Sequence, residues 1–70
     1  MNLPSNFYEL SPLEQMKELQ KITSFIETKI LVHSELGNDD IVKSYDVQLR
    51  GLNALYLDAM MADDELKKAV

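Results

Sequence analysis

The chain has no cysteine and no tryptophan, a single histidine, and only two glycines and two prolines in 70 residues. Without cysteine no disulfide can staple the fold, and a reducing compartment, the cytoplasm, is the expected setting. One histidine with no cysteine cannot complete an ordinary zinc ligand set. Two glycines cannot build a glycine-rich phosphate loop. Positive charge is also scarce: 7 basic residues face 12 acidic ones, a formal charge of −5. Such a chain repels the backbone of duplex nucleic acid unless its lysines cluster. Apolar runs such as Ile30-Leu31-Val32 and Ala59-Met60-Met61-Ala62 fall far short of the ~20 residues of a membrane span. No membrane contact is expected, and no signal peptide, because no basic stretch leads into an apolar one at the N-terminus.

What is present is 46% hydrophobic residues, too many for a chain disordered by composition. Ser11-Pro12-Leu13-Glu14 is a helix start: serine at the N-cap, proline at the first helical position, glutamate three residues after the cap. Gly37 is a stop, since glycine takes the left-handed conformation without a Cβ clash, and one of Asn38, Asp39 and Asp40 caps the next helix. The expected fold is all-α: one helical-hairpin domain over 1–70, with an N-terminal segment 1–10, a first helix 12–36 and a second 39–68. The short connection makes the helices antiparallel neighbours.

The first helix carries the stripe Met16, Leu19, Thr23, Ile26, Ile30, His33, spaced alternately three and four like a coiled-coil seam, widened by Ile22, Phe25 and Leu36. Gln20, Ser24 and Glu27 mark its solvated side. The second helix has two apolar rows. Tyr45, Leu49, Leu52, Tyr56, Ala59 and Leu66, flanked by Ile41 and Leu55, form one; Val47, Ala54, Leu57 and Met61 form the other. Leu52 and Ala54 are two steps of ~100° apart, so the rows face nearly opposite ways. One partner helix covers only one row. The second asks for another surface, most simply another copy, because chains this small need a staple, a metal or a partner. Gly51 costs about 1 kcal/mol in mid-helix relative to alanine. Beside Ala54 it is either a low-relief patch for close approach or a small residue tolerated in tight packing. The expected oligomer interface is Val47, Gly51, Ala54, Leu57 and Met61.

Chemistry-bearing residues are few. His33 reads as a half-buried residue at a helix end, near the negative pole of the helix dipole. The residue three before it is Ile30, so the Glu-x-x-His pattern of bundle di-metal sites is missing and no metal is expected. Ser34 is adjacent to His33, and adjacent side chains on a helix diverge. Nucleophilic catalysis lacks its parts, and neither an enzyme nor a cofactor is expected. The carboxylates of Glu35, Asp39 and Asp40 lie at one end of the second helix and those of Asp63 and Asp64 at the other. A separation of over ~30 Å prevents them from forming one cation cage. Asp63/Lys67 and Asp64/Lys68 read as ion pairs on a solvated last turn. Tyr45 and Tyr56 lie on the core stripe. Tyr8, beside Phe7 and ahead of the first helix, either staples the N-terminus to the hairpin, the reading favoured by the residues alone, or stacks on a base. Lys17 and Lys21, four apart, either meet a phosphate or stay hydrated.

Two patches, Tyr8-Glu9-Leu10-Ser11 with Glu14 and Lys21, and Gly51-Leu52-Asn53-Ala54-Leu55, resemble a family of small phage proteins. These are the anti-CBASS sponges, whose helical hairpin is shared with phage proteins that counter Thoeris defence. The resemblance implies a compact homo-oligomer that sequesters cyclic di- or trinucleotide signals without degrading them, in the host cytoplasm, as immune evasion. It implies that Tyr8 stacks on a base, Lys21 meets a phosphate and Thr23 donates a hydrogen bond. Beside this sponge reading stand two others. One is an acidic inhibitor or adaptor that binds a host protein through the second row and Met60. The other is a purely structural assembly module.

Overall fold

The computed structural model describes residues 3–68; residues 1, 2, 69 and 70 of the expected domain lie outside the described residues. A 3-10 turn, Phe7–Glu9, precedes helix α1, Pro12–Glu35, and helix α2, Asp39–Lys68. The two helices pack against each other, and there is no strand among the described residues.

Each boundary has a local cause. The Ser11 hydroxyl accepts a hydrogen bond from the Glu14 amide at 3.2 Å, and Pro12 takes the first position, where its missing N–H costs nothing. At the other end Gly37 has φ 76°. The Gly37 amide donates to the Ser34 carbonyl at 3.2 Å and the Asn38 amide to the His33 carbonyl at 2.9 Å. Those two bonds satisfy carbonyls left open at the end of α1, the Schellman arrangement. Asn38 then stands at the cap position of α2, its carbonyl accepting from the Val42 amide at 3.1 Å. Three residues, Leu36 to Asn38, reverse the chain.

The core is thin. Phe7, Leu19, Ile26 and Leu52 form its buried cluster, with Met16 and Ala59 buried nearby and Leu3, Leu10, Ile22, Ile30, Tyr45, Leu49, Leu55 and Tyr56 packed around it. The α1 stripe from Met16 to His33 faces inward, but its expected widening does not hold at Phe25 and Leu36, which are exposed. A single partner helix covers a seam, and these side chains point past its edge; Lys29 instead sets its ammonium 5.3 Å from the centre of the Phe25 ring. Ile41 and Leu66, expected on the core row of α2, are also exposed. They lie near the two ends of a 30-residue helix that pairs with one of 24.

The molecule measures 50 × 21 × 14 Å. Its accessible surface is 5234 Å² at a mass of 8.0 kDa. A compact monomer of that mass exposes about 4450 Å², so the hairpin leaves roughly a sixth more surface open than a globule does.

Candidate association surface and N-terminal groove

The outward face of α2 is built by periodicity alone. Leu52 and Ala59, wholly buried, point α2 at α1, and this turns Val47, Ala54, Leu57 and Met61 away from it. Val47 is 67% exposed, Leu57 53% and Met61 59%, and Ala54 is exposed between them. Gly51 is half-buried and stands at the margin of the face, about 60° round the helix from Ala54. Arg50 lies on the same outward face, its Nη2 3.1 Å from the Asp46 carboxylate one turn earlier.

At the N-terminal end the structure separates two neighbouring aromatics. The 3-10 turn drives Phe7 into the core at 2% exposure and leaves Tyr8 at 76%, the rings edge to face with centres 5.2 Å apart. The staple is therefore Phe7, not Tyr8: successive residues of so tight a turn point about 120° apart, and the purely apolar ring takes the inward place. Gln15 fixes this segment to α1. Its side-chain amide donates to the Phe7 carbonyl at 3.2 Å and to the Leu10 carbonyl at 3.1 Å. Sequence reasoning missed Gln15; a long amide one turn into a helix, with a non-helical segment folded back over it, was the available signal.

Lys21 and Lys17 line a shallow groove on α1 together with Leu10, Glu14 and Glu18. The groove is mixed in charge, and the Lys21 ammonium sits 3.4 Å from a Glu18 carboxylate oxygen. Thr23 opens onto an adjoining polar notch between the helices, lined by Glu27, Asn53 and Tyr56 and by Gln20 and Ser24, which also line the groove. In that notch the Gln20 amide donates to the Tyr56 hydroxyl at 3.2 Å. Gln20 is thus solvated as expected and also ties the two helices together. Lys21 and Thr23 thus line adjoining depressions that share Gln20 and Ser24, and Tyr8 lines neither of these two.

His33 is half-buried and stacks on Tyr45, ring centres 6.0 Å apart and planes at 26°. Its Nδ1 lies 3.1 Å from the Asn38 side-chain nitrogen. An amide nitrogen only donates, so this contact is a hydrogen bond when Nδ1 is the unprotonated ring nitrogen. Among the described residues no group of three or more histidine or acidic side chains gathers to hold a metal, and no helix is long and apolar enough to cross a membrane. At the end of α2 Lys67 lies 3.0 Å from Asp63, and that hydrogen bond, reinforced by the charge of Asp63, raises the ammonium above its ordinary 10.5.

No family model, no curated protein and no solved structure matches this chain.

Proposed function

We propose that this chain is a non-enzymatic binding protein that works as a homo-oligomer, its copies joined through the outward face of α2. The observation that carries this reading is the exposed row Val47, Ala54, Leu57 and Met61, on a helix whose opposite side already contacts α1. A row of exposed apolar side chains along one helix face is a candidate interaction surface. The excess of accessible surface points the same way. Multi-angle light scattering tests it: the expected mass is a multiple of 8.0 kDa. A single-copy mass at every concentration removes self-association and turns the reading to an adaptor whose outward face docks on another protein.

Ligand sequestration is a second reading, favoured by Tyr8, which is 76% exposed while its neighbour Phe7 anchors the segment. Together with the sponge resemblance this makes Tyr8 a stacking platform for a base, Lys21 a phosphate contact and Thr23 a hydrogen-bond donor. Lys21 and Thr23 line adjoining depressions that share Gln20 and Ser24. Calorimetry with a panel of cyclic di- and trinucleotides decides it. Binding heat that disappears in both Tyr8→Ala and Lys21→Ala supports sequestration, and no heat with any member of the panel removes it.

A further inference from the structure

Positions 47, 54 and 61 of α2 are seven residues apart, and so are 50, 57 and 64. These are two interleaved rows of a heptad seam: Val47, Ala54 and Met61 on one, Arg50, Leu57 and Asp64 on the other. All six are exposed. The seam is asymmetric along its length. Its N-terminal half carries Arg50, with Lys43 one heptad earlier and Asp46 bridged to Arg50; its C-terminal half carries Asp64, flanked by Asp58 and Glu65, with Lys68 one heptad after Met61.

Resting on the self-association reading above, we infer that the outward face of α2 pairs with the same face of a second copy running antiparallel, with Ala54 packed opposite Leu57 of that copy. Charge and shape select the direction. A parallel pair in register sets Arg50 against Arg50 and Asp64 against Asp64 of the second copy, like charges across a closed seam. It also sets Ala54 on Ala54, leaving a gap between two small side chains. The antiparallel pair matches Val47 with the level of Asp64, Arg50 with that of Met61, and small Ala54 with large Leu57. Arg50 then lies between the levels of Asp58 and Asp64 of the second copy, each about 4.5 Å away along the axis. Its bridge to Asp46 uses only Nη2, and a guanidinium has five N–H donors. The next layer at each end sets Lys43 opposite Lys68 of the second copy, a like-charge contact at the open ends of the strip, whereas the parallel pair has like charges at 43, 50, 64 and 68. A two-fold axis through the middle of α2 generates the contact, so it closes as a dimer and does not propagate into a filament. The paired strip is about 25 Å long, at the small end of specific interfaces, which places the association among weak, concentration-dependent ones.

The absence of native cysteine makes the direction directly readable. Val47→Cys and Asp64→Cys chains are prepared separately, mixed, and oxidised. An antiparallel pair brings position 47 within disulfide reach of position 64 and holds the two copies of position 47 about 25 Å apart. The expected product is the mixed disulfide alone. A Val47→Cys homodisulfide overturns the antiparallel direction. Association seen by light scattering with neither disulfide overturns the face and leaves self-association standing; a single-copy mass defeats both. Both positions are on the surface, and an unchanged far-ultraviolet spectrum verifies that the variants fold. As an independent reading, Arg50→Glu weakens association roughly tenfold and adding Asp64→Lys restores it. An Arg50→Glu chain that associates like the parent refutes the part given to charge.

Discussion

Phe7 and Tyr8 are neighbours in the chain and opposites in environment, and truncating each to alanine gives the sharpest test of how the N-terminal segment is held. Phe7 is 2% exposed and belongs to the buried cluster with Leu19, Ile26 and Leu52. Removing a buried phenyl ring costs about 3–5 kcal/mol, as lost transfer energy plus the cavity left behind. A 70-residue domain has about 4–10 kcal/mol to lose. Phe7→Ala therefore removes a large part of the total and lowers the melting temperature by roughly 15 °C or more. Tyr8 is 76% exposed, and Tyr8→Ala stays within about 0.5 kcal/mol of the parent. Urea unfolding followed by circular dichroism reads both, at one fixed protein concentration because association adds to apparent stability. A Phe7→Ala chain within about 1 kcal/mol of the parent, or a Tyr8→Ala chain as damaged as Phe7→Ala, would show that the wrong ring has been taken for the anchor.

Three further outcomes follow from single contacts. Gly37→Ala destabilises by about 1 kcal/mol through the backbone alone, because φ is +76° and an added Cβ meets nothing within 4 Å; Gly37→Asn loses less in the same thermal melt, since asparagine tolerates the left-handed region. Gln15→Ala deletes the two bonds to the Phe7 and Leu10 carbonyls and costs about 1–2 kcal/mol, with faster hydrogen exchange over residues 7–10 than over α1. The Lys67 side chain titrates above 10.5 by nuclear magnetic resonance, and Asp63→Asn removes most of the rise; because the folded value is the raised one, its contribution to the last turn is complete below 10.5 and is lost as pH climbs through the raised value.

The helices and the turn were legible because their signals are local. Ser11-Pro12 starts α1, Gly37 reverses the chain, and the second helix runs from 39 to 68 as its pattern requires. The first ends at Glu35, one residue before the expected 36, because Leu36 serves as its cap. The outward row of α2 was equally legible, being a matter of angle. What stayed hidden depends on which neighbour arrives. Phe25 and Leu36 match the seam by spacing, but only a second or wider partner would cover them. The choice of Phe7 over Tyr8 is set by the 3-10 turn, a three-residue element without a period to read. The Gln20–Tyr56 bond joins residues 36 apart in the chain, beyond any local pattern.

With no tryptophan in the chain, its ultraviolet emission comes from phenols, and the hairpin has stationed them as separate sentinels. Tyr8 reports on the open N-terminal tip, Tyr56 on mid-length through its bond to Gln20, and Tyr45 on the turn through its stack on His33. Replacing any two by phenylalanine leaves one native lamp, so fraying at the tip, parting of the helices and loosening of the bend become three distinguishable optical signals without an added dye.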